Sequence, residues 1–164
     1  MQMWNEINTE DDIDFFMQQT GCMHDAVIIS LEFISGCNVT EDRKTLFPIN
    51  GGSAVKLIIG SCWFGKIEMI FSGVKYFCSG KRADMWECSL LFRRDLLGRT
   101  RDDRLIVWTD GVFDPAIYGT KIELGAIDLG QPADTCIIAY ELKWRFIKDI
   151  EEAENACKKN NSLP

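Results

Sequence analysis

The segment Thr135 to Lys148 constrains this chain more than any other. Cys136, Ile138, Tyr140, Leu142, Trp144 and Phe146 fall on every second position, and Ile137, Ala139, Glu141, Lys143, Arg145 and Ile147 stand between them. Strict period two over that length predicts a long β-strand with one face in a core and the other largely wet. A sheet wetted on one side is characteristically antiparallel, because parallel sheets are covered on both faces. The phase places Trp144 in the core and Lys143 and Arg145 in solvent.

The remaining chain supplies partners for that strand. Thr9 followed by Asp12 makes an acidic capping box, and Ile13, Phe16, Met17 and Thr20 follow at helical spacing before Gly21. This predicts a helix over about residues 10–20, whose acidic first turn suits the positive end of its dipole. From Asp25 the period becomes two: Ile29, Leu31 and Phe33 alternate with Ser30 and Glu32, and Gly36 ends the run. Residues 38–53, with Pro48, Asn50 and Gly51-Gly52, read as a loop. Strands are expected at 54–60 and 62–72, with Ser72-Gly73 as a tight hairpin connection into Val74–Cys78. Trp86, Cys88, Leu90 and Phe92 alternate with Glu87 and Ser89, Leu105 to Trp108 is a further strand, and Ile122 and Leu124 alternate around Glu123. Residues 149–158 carry the pattern of a short amphipathic helix, followed by a frayed tail. About eight strands with short turns and one N-terminal helix predict an α+β fold dominated by antiparallel β: a twisted sheet, partial barrel or sandwich. The strands stand too close together for βαβ crossovers. At 164 residues the chain fits one domain, 1–164, with a full core, and a boundary at Gly51-Gly52 would leave halves small for one.

Composition excludes several chemistries. Eighteen basic against 25 acidic residues give a formal charge of -7, which opposes a nucleic-acid partner; it suits solubility first, and is compatible with attraction of a basic protein. The beginning, MQMWNEINTEDD, has no cationic stretch followed by an apolar run, and no segment approaches the ~18 apolar residues of a membrane helix. A cytoplasmic protein with no membrane partner is expected. Seven cysteines stand at 22, 37, 62, 78, 88, 136 and 157 without a CxxC, and read as reduced thiols and small core residues. A single histidine, His24, removes the His-rich zinc sites, the two-His zincin motif and the His-Asp metal phosphohydrolases. Nucleotide-binding glycine motifs and the GxSxG elbow are absent too, so neither a metal nor a cofactor is expected.

Two sets of residues remain as candidate sites. Cys22, His24 and Asp25 are the types that make a thiolate nucleophile, its base and an orienting carboxylate. Their position between helix and strand gives His24 and Asp25 a structural alternative, bonding orphan backbone groups at the junction. The second set lies on the polar phase of the strands. Glu32, Glu68, Glu87, Glu123 and Glu141 share it with Ile34, Ile70, Leu91, Trp108 and Ile147. Charged residues around apolar anchors suit a protein-binding face, for which Ile70, Leu91, Trp108, Glu68 and Glu123 are the expected contacts. Trp86 and Trp144 fall on the core phase.

The stretch Gly21-Cys22-Met23-His24-Asp25-Ala26-Val27-Ile28 resembles the His-Asp lead-in to the first strand of small bacterial β-rich proteins, some of them grouped with immunity proteins of polymorphic toxin systems. Met23 stands where an aromatic is commoner, and the closing Leu142-Lys143-Trp144-Arg145 strand is similar in style. The resemblance implies a cytosolic protein that binds another protein, an immunity-type inhibitor being one form of that, and supplies no catalytic residues. The expected function is therefore non-enzymatic protein binding. The alternatives are a small-molecule-binding sheet or barrel with an apolar pocket, and a hydrolase built on His24 and strand carboxylates.

Overall fold

The computed structural model describes residues 3–47, 52–80, 83–94, 96, 104–111 and 135–147. The capping box forms as the sequence predicts. Thr9 Oγ1 accepts the Asp12 amide at 3.2 Å, while Asp12 Oδ2 accepts the Asn8 and Thr9 amides at 2.9 and 2.8 Å. These bonds hold the Asp12 carboxyl below its usual range, the Asn8 amide contributing most. Helix α1 then runs Glu10–Gln19 and buries Ile13 and Phe16.

Among the described residues, eight strands of three or more residues and four of two follow the antiparallel pattern. One sheet has six strands: β1 (Asn5–Glu6), β12 (Glu141–Ile147), β6 (Gly65–Ser72), β5 (Ala54–Ser61), β2 (Ala26–Ile34) and β8 (Asp84–Met85), in that spatial order. A second has four: β7 (Tyr76–Cys78), β11 (Cys136–Ala139), β10 (Leu105–Thr109) and β9 (Ser89–Arg93). β3 (Asn38–Val39) and β4 (Thr45–Leu46) form a separate hairpin within the expected loop. The two main sheets share one core, the sandwich form of the expected fold, and neither closes into a barrel among the described residues.

The chain passes between the sheets at a corner, and there the sequence reading needs correction. The predicted long strand 135–148 is two strands, β11 in the small sheet and β12 in the large one, joined at Tyr140. Beside it β6 leaves the large sheet and β7 enters the small one through Gly73, so 72–73 is a crossing and not a hairpin turn. Gly73 has φ +66°, and a Cβ there would stand 2.9 Å from Tyr140 Cδ2. Only a glycine allows both the left-handed backbone and the tyrosine ring beside it. The inward phase inverts across this corner. Ile137 and Ala139 share the main core with Leu142 and Trp144, whereas Cys136 and Ile138 enter a second core.

That second core covers the other face of the four-stranded sheet. Leu96, Leu105, Val107, Cys136 and Ile138 form it, with Tyr76, Leu91 and Tyr140 packed alongside. Every residue of β10 and β11 is buried. Trp108 is accordingly a core residue. It is fully buried, 6.2 Å from the Phe71 ring and on no exposed face. Trp86 errs in the opposite sense: expected inside, it is 73% exposed, because the run 86–92 is interrupted between β8 and β9. Ile29 is likewise 50% exposed, since a register shift between Ile28 and Ser30 throws it out over Gly60. The expected strand around Ile122–Leu124 and the helix at 149–158 lie outside the described residues.

Trp144 holds helix and sheet together. It is 1% exposed and meets the Phe16 ring edge-on at 5.1 Å. Replacing it with Ala should cost about 3–5 kcal/mol of stability, as large-to-small core changes do. Lys143→Ala should cost about 1 kcal/mol or less, since Lys143 is half-buried and its ammonium adds only a partly solvated contact with the Trp4 ring. Urea melts of the two variants check this, and equal losses would show that the faces of β12 are assigned backwards.

Candidate functional site

The residues expected to form a binding face do not come together. Glu68 and Ile70 lie on β6 and point to the outer side of the large sheet. Leu91 and Trp108 belong to the small sheet, Leu91 half-buried beside the second core and Trp108 in the first. Glu123 lies outside the described residues.

Glu68 is not an open carboxylate. Its side chain is 7% exposed, with Lys56 Nζ at 2.7 Å on Oε1 and Arg145 Nη2 and Nε at 2.6 and 2.7 Å on Oε2. The register explains this triad: Arg145 stands directly opposite Glu68, and Lys56 lies diagonally across on β5. Burial alone would raise the Glu68 pKa, but the two cations outweigh it and hold the carboxyl below its ordinary range. Trp4 packs against Arg145 of this triad and against the neighbouring Lys143, with the guanidinium 4.2 Å and Lys143 Nζ 4.9 Å from its ring. The arrangement fastens the N-terminal strand and offers no proton-transfer chemistry.

A cleft of about 240 Å³ opens beside the corner, lined by Glu6, Asn8, Ile70, Arg104, Tyr140 and Lys143 among others. Ligand pockets are commonly about 300–1,000 Å³ and lined predominantly by apolar groups. This one is smaller, and charged and polar groups dominate its walls, so the apolar pocket expected of a small-molecule binder is not found there.

The Cys22, His24, Asp25 segment forms an unusual turn. Gly21, Cys22 and Met23 have φ of +54°, +55° and +57°, and Asp25 has +54°. Three successive left-handed residues make a short left-handed turn, which costs roughly 1–2 kcal/mol per non-glycine residue. Surrounding bonds hold it. The Met23 amide donates to Thr20 O at 2.9 Å, the His24 amide to Gly21 O at 3.1 Å and the Cys88 amide to Cys22 O at 3.1 Å, while Met23 is fully buried. The helix end is thus satisfied by backbone groups and by Thr20 Oγ1 donating to Phe16 O at 2.9 Å. The His24 and Asp25 side chains bond each other, Nδ1 to Oδ2 at 3.0 Å, and both are about half exposed. The exposed Trp86 meets the His24 ring edge-on at 6.1 Å. Among the described residues no strand carboxylate bonds His24.

Large apolar residues are exposed elsewhere. Among the described residues, seven of the eleven exposed large hydrophobics fall within residues 27–47: Val27, Ile29, Phe33, Ile34, Val39, Leu46 and Phe47. Trp86 and Trp63, 73% and 74% exposed, stand near the start of this stretch. Met85 pairs with Ala26, and Trp63 tips the β5–β6 turn whose Gly60 pairs with Val27. Exposed Asp25, Asp84 and Glu87 lie around them. The alternation Ile29, Leu31, Phe33 has the pattern of a core face; the exposed flank is legible only with the bulge and the strand order. No helix among the described residues is long and apolar enough to cross a membrane. No protein-family model, curated protein or solved structure matches this chain.

These environments set the behaviour of Glu68 and of the thiols. Glu68→Gln should cost about 2 kcal/mol at neutral pH, the scale of hydrogen bonds to charged groups. Because the folded pKa is lowered, the wild-type carboxylate contributes fully above its unfolded value and loses that contribution as pH falls through the folded one. The gap between wild type and variant should therefore close as denaturation is followed from neutral to strongly acid pH. A constant gap would exclude charge as its origin. For the thiols, burial foremost, with Cys22 nearby, pushes Cys88 up to about 12, so it stays protonated and inert. Alkylation of the native protein with peptide mapping should label the exposed Cys22, Cys37 and Cys62 and spare Cys88 and Cys136. Labelling of Cys88 at the rate of Cys22 would show that the seam between α1 and β9 opens readily.

Proposed function

We propose that this protein acts in the cytoplasm by binding another protein, a basic one, in the manner of an immunity-type inhibitor. The observation that carries this reading is the concentration of exposed apolar side chains along residues 27–47, joined by Trp86 and Trp63 at the start of β2. Contiguous apolar surface is costly to leave in water and commonly marks interaction sites. Exposed tryptophans are the side chains most often found as interface anchors. Asp25, Asp84 and Glu87 supply a charged rim, and with the net charge of -7 they would steer a basic partner. The left-handed turn at Gly21–Met23 supports the reading further, since it presents His24 and Asp25 beside Trp86 on a fixed backbone.

Retention of a partner from the native cell, followed by titration of the purified pair, tests the proposal. Trp86→Ala should weaken binding by about 30-fold, the scale of a hot-spot residue. Asp84→Lys should slow association, and rising salt should slow it for the wild type, because screening shortens electrostatic steering. If no protein is retained, or if both variants bind as the wild type does, the reading is wrong.

A further inference from the structure

The binding reading leaves open which part of the surface a partner would grip, and the two-sided geometry of β2 supplies an answer. β2 is nine residues long and pairs with β5 along one side, up to Ile34 opposite Ala54. On its other side β8 covers only Ala26 and Val27, with one further bond from the Ile28 amide to Ala83 O at 2.7 Å. From Ser30 to Ile34 no strand among the described residues pairs with that side. Proteins normally blunt such edges with short strands, lysines, prolines or bulges. Here the bulge at Ile29 lies before the open stretch. Ser30 to Ile34 then runs in unbroken register with β5 and contains no lysine, arginine or proline.

The side chains along the edge are arranged for a strand as well. Phe33 and Ile34 are 49% and 47% exposed, and Phe33 is held in place by stacking on Phe77, with ring centroids 5.7 Å apart and planes within 12°. Glu32 beside them is exposed. Its register partner on β5 is Lys56, but that ammonium is committed to Glu68 at 2.7 Å. No hydrogen bond or ion pair engages the Glu32 carboxylate among the described residues.

We propose that the open edge of β2, residues Ser30–Ile34, accepts an added β-strand from a basic partner protein, with a lysine or arginine of that strand set opposite Glu32. The proposal rests on the protein-binding reading and gives it a geometry. Unpaired backbone groups on an edge call for an extended segment, and alternate side chains then set its preference. An opposite charge directly across from Glu32 stabilises the pair, and a like charge opposes it. A second copy of this chain is the poorer occupant, because it would bring two Glu32 carboxylates to one short edge.

Hydrogen exchange resolved by residue on the full chain tests this, using a peptide of about ten alternating valines and lysines as the probe. Two controls accompany it: the valine–glutamate counterpart, and the lysine peptide N-methylated at every backbone amide. The lysine peptide should slow exchange within Ser30–Ile34 by about tenfold or more, and neither control should. Glu32→Lys sets a like charge across from Lys56 and should lower the melting temperature slightly while the chain stays folded, and it should switch the preference to the glutamate peptide. Absence of protection at 30–34, equal protection by the N-methylated peptide, or no switch in the variant would overturn the proposal. Protection confined to the Asp84–Trp86 end would also overturn it while leaving the protein-binding reading in place. Concentration-dependent protection without peptide would assign the edge to a second copy and overturn the basic-partner assignment. Failure of the partner-retention test, with the peptide still protecting 30–34, would sink the broader reading separately.

Discussion

Two neighbouring chain segments turn the same corner, and the sandwich depends on it. β6 and β12 pair in the large sheet, β7 and β11 in the small one, and the connections lie side by side at Gly73 and Tyr140. Backbone bonds continue through the bend, from the Lys75 amide to Ile138 O at 2.7 Å and from the Tyr140 amide to Ser72 O at 3.2 Å. Because the ladder is carried across, the sheets are fixed relative to each other by main-chain hydrogen bonds as well as by core packing. Sandwiches whose strands switch sheets need a bend or irregularity at the switch. Here a positive-φ glycine supplies it, with a tyrosine ring filling the space that a side chain would otherwise take.

Once the sheets are joined this way, the remaining placements follow. The central strands of the small sheet, β10 and β11, are buried on both faces, one against the large sheet and one against Leu96 and its neighbours. The outer face of the large sheet carries the charges. There the buried Glu68 is held by the half-buried Lys56 and Arg145, whose attraction must offset desolvation of the carboxylate. The same triad occupies Lys56 and so leaves Glu32 without its cross-strand cation. A structural ion pair in the middle of the sheet thereby fixes the electrostatic character of the sheet's edge, which is where the structure connects to the proposed function.

Much of the fold is legible in the sequence. The capping box, α1 and its stop at Gly21, the antiparallel character, and the burial of Trp144 beside the more exposed Lys143 all follow from local rules that tertiary structure has no reason to override. The candidate site is less legible. Ile70, Leu91, Trp108, Glu68 and Glu123 share a strand phase, and phase speaks only within one strand. Leu105-Ile106-Val107-Trp108 is a continuous apolar run, the sign of a strand buried on both faces, and that run is the signal in the sequence that takes Trp108 off the surface. Nothing comparable in the sequence signals that Phe33 and Ile34 stand on an open edge.

By itself the sequence determined the elements and most of their inward faces, because side-chain periodicity and helix capping are properties of neighbouring residues. Tertiary structure decided which strands share a sheet, where the inward phase inverts at Tyr140, and which residues remain in water. Those outcomes depend on pairings between segments far apart in the chain. A one-residue shift at a bulge or corner exchanges the two faces of everything beyond it. Ile29 was carried to the surface by such a shift, and Ile137 and Ala139 into the main core by the inversion at the corner. Among the described residues β8 pairs with only Ala26 and Val27 of β2, a length that no residue of β2 encodes.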